Sequence, residues 1–182
     1  KADILVENFK PGTLEKWGYG WKDVSKKYPK LIYASASGFG QTGPLKELPA
    51  YDMVVQGMGG LMSVTGQPNS GPTRVGTSIG DITAGLFTAI GINAALYDRQ
   101  KTNKGMYIDV SMLDCQIAIL ENAIARYLAK NEIPKPMGSR HPSIAPFEAF
   151  KTKDSHIIIA AGNDKLFEKL CNLLDMPEMI QD

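Results

Sequence analysis

The sequence has little cysteine and little histidine, with two residues of each among 182. Cys115 and Cys171 lie far apart in apolar helical patterns, so we expect two buried thiols rather than a disulfide. Free thiols fit a reducing compartment, and we expect a cytoplasmic protein, or one of the mitochondrial matrix if the source is eukaryotic. His141 and His156 each lack a second metal ligand nearby, so neither supports a zinc site.

Neither sign of charge dominates the sequence. Its 20 Lys and Arg residues and 19 Asp and Glu residues leave a net charge of +1, and the lysines are scattered. A nucleic-acid-binding face would need clustered basic residues, so we expect no nucleic-acid partner. No segment approaches the roughly twenty apolar residues of a membrane span, and no signal peptide is recognisable, so we expect no membrane partner. The hydrophobic content of 43% is typical of a soluble globular protein.

Strand and helix patterns alternate along the first part of the chain. A strand pattern at residues 4–6 and another at residues 31–36 enclose helical patterns between them. Strand, helix and strand at this spacing form a βαβ unit, which predicts an α/β fold with a parallel sheet. Ligands of such sheets bind beyond the carboxyl ends of the strands, where Asn8, Phe9 and the loop of residues 38–44 fall.

The chain divides into two units joined by a linker. Residues 1–130 form the first unit, with a long helical pattern from Ser78 to about Arg99. Residues 131–146 are rich in proline and read as the linker. Residues 147–182 predict a β-hairpin and a helix, the beginning of a smaller domain that is too short to fold alone. The chain also starts without Met inside a strand pattern, so we expect a fragment of a longer protein.

The most informative stretch runs from Tyr107 to Asp114. Alternating residues predict a strand, Ser111 occupies the N-cap position of a following helix, and an apolar stripe continues to Ile124. Asp114 falls in the first helical turn, where the positive end of the helix dipole favours an ionised carboxylate. Such a carboxylate can act as a nucleophile toward a thioester or an anhydride. Asp is also common at helix starts for structural reasons alone, and position does not separate the two interpretations.

Five motifs follow one another in a recognisable order: residues 3–12, residues 38–44, Tyr51-Asp52, residues 59–62 and the segment that ends at Asp114. In this order they resemble the class III CoA-transferases, the CaiB/BaiF family that includes formyl-CoA and carnitine CoA-transferases. The resemblance implies that residues 1–130 are part of a Rossmann-like large domain, with the start of a smaller α+β domain after the linker. It also implies a homodimer of interlocked subunits.

The resemblance implies a reaction for Asp114. In the family, an Asp at this position attacks an acyl-CoA thioester to form a mixed anhydride, and an aspartyl-CoA thioester follows. A small carboxylic acid then receives the CoA. Coenzyme A is thus part of the substrates, and no prosthetic group or metal is implied.

The resemblance also implies residues that hold CoA. Asn8 and Phe9 match a family pair at the CoA site, although an Asx-turn and a core aromatic are the structural alternatives. Lys16 falls where relatives often carry an Arg that contacts CoA phosphates, and Lys10 is a similar candidate. A solvated lysine is the alternative for both.

The segment Pro49, Ala50, Tyr51 and Asp52 matches a family segment around the pantetheine and the active site. The related α-methylacyl-CoA racemases carry a proton-transferring His where this chain has Tyr51, and Tyr is nearly inert as a base at neutral pH. The sequence therefore predicts CoA transfer. A racemase or epimerase, and a CoA-binding fragment without turnover, are the alternatives. Similarity to relatives that handle small dicarboxylates suggests succinate or a related acid.

Overall fold

A computed structural model describes residues 2–181 and contains a three-stranded parallel sheet. The strands are β1 (Ile4–Glu7), β2 (Ile32–Ser37) and β3 (Tyr107–Ser111), with β2 in the centre. The predicted α/β class is confirmed. Because the strands are parallel, their carboxyl ends lie at one edge of the sheet, where Ser37 pairs with Ser111.

One face of the sheet carries an aromatic core. Leu5, Tyr33 and Tyr107 lie side by side in the strand register, because alternate residues of a strand point to the same face. Helices α1 (Thr13–Lys16) and α2 (Trp21–Lys27) cover them. The Trp21 ring stacks on Tyr107 at a centroid distance of 5.7 Å and meets Tyr33 edge-on at 6.0 Å. Burial raises the pKa of both tyrosine hydroxyls, so they stay neutral.

Helix α5 (Ile79–Thr102) packs on the other face of the sheet. Ala84 lies in a core cluster with Val110 and Cys115. At 24 residues, α5 is long and apolar enough to cross a membrane by length and composition. The expectation that no segment approaches the length and apolar composition of a membrane span is therefore wrong. The core helix of a soluble protein passes the same test, so the finding is weak evidence for a membrane.

The start of α5 is held by α3 (Asp52–Met58), which is followed by the short helix α4 (Leu61–Val64). One carboxylate oxygen of Asp52 accepts the backbone N–H of Gly80 at 2.8 Å, and the other accepts the side chain of Gln56 at 2.8 Å. Gln56 is fully buried, and its carbonyl oxygen accepts the N–H of Val75 at 2.9 Å. Asp52 thus satisfies an orphan donor at the first turn of α5.

Two helices follow β3 where the apolar stripe predicts one. Helix α6 (Met112–Ala118) ends before Glu121, and α7 (Asn122–Lys130) begins after it. Glu121 has a φ of 36°, a conformation that residues other than Gly adopt rarely and at a cost in energy. The chain has neither Gly nor Pro at the break, so the sequence carries no local signal for it.

The remaining elements are a hairpin and a helix. Strands β4 (Phe147–Lys151) and β5 (His156–Ala160) pair antiparallel, and the N–H of Thr152 donates to the carbonyl of Ser155, as the predicted hairpin requires. Helix α8 (Asp164–Leu173) begins after Asn163, whose side chain accepts the N–H of Leu166 at 3.0 Å. A 3-10 helix at Pro177–Gln181 follows. The division at residues 131–146 stays a prediction.

Replacing two glycines of α5 by alanine should change the free energy of unfolding in opposite directions. A Cβ at Gly80 would lie 2.7 Å from Val55 Cγ2 and 3.0 Å from Asp52 Oδ1, whereas a Cβ at Gly85 would meet nothing within 4 Å. We expect Gly85→Ala to raise the free energy of unfolding by about 0.5–1 kcal/mol, because alanine favours helix. Gly80→Ala should lower it by about 1–3 kcal/mol through overpacking. Urea unfolding followed by circular dichroism measures both, and shifts of the same sign would contradict the packing described for α5.

Candidate active site

Asp114 is held at the start of α6 by a local cap. The Ser111 hydroxyl oxygen accepts the N–H of Asp114 at 3.2 Å, which is the predicted N-cap. The Asp114 side chain is exposed, and within residues 2–181 its carboxylate forms no hydrogen bond or ion pair. The backbone is thus fixed while the carboxylate stays available to a ligand.

The carboxylate of Asp114 stands between two cavities. The loop cavity, of about 340 Å³, lies between α6 and the loop of residues 38–44. The helix cavity, of about 380 Å³, lies between β3, α6 and Phe87 of α5. Asp109, Ser111 and Asp114 line both cavities. A molecule in either cavity can therefore meet the Asp114 side chain.

The loop of residues 38–44 is bonded to the strand and helix that carry Asp114. The N–H of Gln41 donates to both carboxylate oxygens of Asp109, at 3.0 Å and 3.0 Å. The N–H of Leu113 donates to the carbonyl of Gly38 at 3.1 Å. These bonds hold the loop against β3 and α6, the elements on the other side of the loop cavity. Sequence reasoning did not assign Asp109 a role; its one signal is a charged residue near the carboxyl end of a predicted strand.

Two donors near this edge of the sheet have no partner among the described residues. Ser37 Oγ and Gln41 Nε2 are both buried and unbonded. A buried polar group without a hydrogen bond costs about 1–3 kcal/mol, so each would gain from a ligand that offers an acceptor. Sequence reasoning did not assign either side chain a role.

Cys115 adjoins Asp114 in sequence but belongs to the core. Its side chain is 6% exposed and packs with Ala84 and Val110. Burial, and secondarily the negative charge of Asp114, raises the pKa of the Cys115 thiol to about 11. The thiol is thus a poor nucleophile at neutral pH. Both cysteines are free and buried, which confirms the expectation.

The predicted CoA-binding residues of the first loop lie apart from the two cavities at Asp114. Phe9 is 45% exposed and meets Trp17 edge-on at 5.3 Å, outside the core. Asn8 lines another cavity, of about 500 Å³, between β1 and α5. Lys10 and Lys16 are exposed, and neither forms an ion pair within residues 2–181. All four stay predictions as CoA ligands.

The segment of Pro49, Ala50, Tyr51 and Asp52 is brought to the loop of residues 38–44. Ala50 packs so closely on Gly38 that any side chain at position 38 would overlap it. Tyr51 precedes α3 and is 80% exposed. Asp52 is 9% exposed, and Gln56 and Gly80 already bond its carboxylate. The observed role of Asp52 is structural, and a contact with CoA from this segment stays a prediction.

Comparisons with known proteins identify the family of this chain. The model of CoA-transferase family III matches residues 1–182. The chain is 48% identical over 183 residues to the acetyl-CoA:oxalate CoA-transferase of Acetobacter aceti, covering 100% of this chain and 47% of that protein. It is 41% identical over 181 residues to the succinyl-CoA:glutarate CoA-transferase of Homo sapiens, covering 100% of this chain and 41% of that protein.

A solved structure is similar to the whole of this chain. A CaiB/BaiF family protein from Brucella suis has a TM-score of 0.85 and 44% identity, and the match covers 100% of this chain and 48% of that one. The chain thus spans under half the length of these relatives. Since the family model covers every residue of the chain, the chain belongs to CoA-transferase family III.

Proposed function

We propose that this chain carries the nucleophile of an acyl-CoA:carboxylate CoA-transferase, and that Asp114 is that nucleophile. The observation that carries the proposal is the Asp114 carboxylate, which is exposed, free of protein partners within residues 2–181, and placed between two cavities. Its backbone is fixed by the Ser111 cap, which limits the motion of the attacking group. Membership of CoA-transferase family III supplies the reaction class.

The proposed reaction passes through two kinds of covalent intermediate. An oxygen of Asp114 attacks the thioester carbon of the donor acyl-CoA, the C–S bond breaks, and CoA leaves as the thiolate. The thiolate attacks the aspartyl carbon of the resulting anhydride, which releases the donor acid and leaves an aspartyl-CoA thioester. The acceptor carboxylate attacks this thioester and frees the thiolate again. The thiolate then attacks the acceptor carbon of the second anhydride, which gives the new acyl-CoA and restores the Asp114 carboxylate.

CoA itself would be held by residues at the same edge of the sheet. Asn8 offers a donor and an acceptor to amide groups, and Phe9 offers an exposed aromatic face. Lys10 and Lys16 would supply positive charge to the phosphates, and Tyr51 would lie near the thioester arm. These assignments rest on the family resemblance.

The proposed donor and acceptor are small acids. The relatives act, by name, on acetyl-CoA and oxalate or on succinyl-CoA and glutarate, which favours small dicarboxylates here. We also propose a homodimer, as the family resemblance implies. The two thiols are free and buried, which favours the cytoplasm, or the mitochondrial matrix if the source is eukaryotic.

A covalent adduct on Asp114 tests the mechanism. We expect a full-length protein that carries these residues to gain mass when incubated with acetyl-CoA or succinyl-CoA, and peptide mapping to place the adduct on Asp114. Asp114→Asn should abolish the adduct, because the amide is not a nucleophile. Cys115→Ala should keep it, because the Cys115 thiol is buried and protonated.

An adduct that survives in Asp114→Asn would contradict the assignment. Absence of an adduct with every donor, despite measurable CoA binding, would contradict covalent transfer altogether. Deuterium uptake from solvent at the α-carbon of a branched acyl-CoA would then indicate the racemase. The exposed Tyr51, in place of a histidine, disfavours that outcome.

The carboxylate of Asp109 should act as a positioning group. Asp109→Ala removes the acceptor of the Gln41 N–H, and a hydrogen bond to a charged group contributes about 1.5–3 kcal/mol. We expect the loop to loosen and the turnover number to fall about tenfold or more, while the circular dichroism spectrum stays that of the folded protein. Asp109→Asn keeps one acceptor and should recover part of the rate. Asp23→Ala, at an exposed carboxylate of α2, is the matched control, and an equal loss there would contradict a specific role.

A further inference from the structure

A basic cavity lies beyond the break between α6 and α7. Its volume is about 330 Å³, which is within the range of small-molecule sites. Val64, Leu120 and the linker segment of residues 134–142 form its walls, and α7 begins on one side. The strained backbone of Glu121 turns the chain here, and such strain tends to persist where surrounding structure or function requires it.

The charges of the basic cavity are predominantly positive. Arg126, Lys135 and Arg140 line it, against the single carboxylate of Glu121. Within residues 2–181 none of these side chains takes part in an ion pair. Arg126 is half-buried, one turn into α7. A partly desolvated guanidinium without a counter-charge attracts an anion more strongly than a fully solvated lysine does.

Neutral donors and a buried acceptor complete the lining. His141 packs on Phe147 at 5.3 Å, and its Nδ1 accepts the N–H of Ser143 at 3.2 Å. In the neutral ring, Nε2 therefore carries the proton and can donate. The Asn122 side chain lines the cavity and has a buried Oδ1 without a partner among the described residues.

We propose that the basic cavity binds a small anion with a carboxylate or phosphate group, at a site separate from Asp114. From Asp114 to Leu120 is six residues of mostly helical chain, about 9 Å at 1.5 Å per residue. The basic cavity thus begins more than one helical turn from Asp114, and it shares no lining residue with the loop cavity or the helix cavity. Arg126 is the principal anchor, and Lys135, Arg140 and His141 add charge and donors.

Calorimetric titration of a full-length protein that carries these residues tests the site. Glutarate and inorganic phosphate are the two probes, and the tighter one identifies the anionic group. We expect Arg126→Gln to weaken binding at least tenfold, and Arg126→Lys to weaken it less because the charge remains. Lys130→Gln is the matched control, since Lys130 is an exposed cation of the same helix outside the cavity. It should leave the affinity unchanged.

The binding site and the proposed reaction fail independently. Asp114→Asn should lose the CoA adduct and keep anion binding, whereas Arg126→Gln should keep the adduct and lose anion binding. Arg140→Gln serves as a second variant if Arg126→Gln lowers the urea midpoint. Absence of binding for both probes, or equal affinity in Arg126→Gln, Arg140→Gln and Lys130→Gln, would overturn the proposal.

Discussion

The candidate site depends on the hydrogen bond from the Leu113 N–H to the Gly38 carbonyl. This bond joins the end of β2 to the first turn of α6 just beyond the point where Ser37 pairs with Ser111. It continues the strand register past the sheet and fixes the position of Asp114 relative to the loop of residues 38–44. Gly38 is packed against Ala50 without room for a Cβ, so the same residue also holds the segment before α3.

This bond can hold Asp114 in place because the sheet to which it is attached is itself firmly packed. Tyr33 and Ile32 of the central strand are almost fully buried, on opposite faces. One face is closed by aromatic stacking and the other by α5, whose first turn is capped by Asp52 from a distant part of the chain. Polar residues occur from the middle of β2 and β3 onward, where Ser35 pairs with Asp109 and Ser37 with Ser111. The site thus lies where the packed core ends.

Local signals in the sequence predicted the three parallel strands, the long helix α5, the hairpin and the position of Asp114, but not the helices α3 and α4. Alternation predicted β3, and Ser111 was a recognisable N-cap because its side chain bonds to the nearby backbone. The break at Glu121 and the buried carboxylate of Asp52 were not predicted. Asp52 bonds to Gly80, 28 residues away, and Asp109 bonds to Gln41, 68 residues away. Such pairs depend on how distant elements pack together, which no local pattern contains.

The distribution of charge bears on how an acid reaches Asp114. Two carboxylates, Asp109 and Asp114, line the loop cavity, and no Lys or Arg of residues 2–181 lines it with them. The cations of the basic cavity, Arg126, Lys135 and Arg140, line neither the loop cavity nor the helix cavity. The lining of the loop cavity thus offers an acid two negative charges and no cation of residues 2–181, whereas the positive charges of the basic cavity act on an anion that enters the basic cavity.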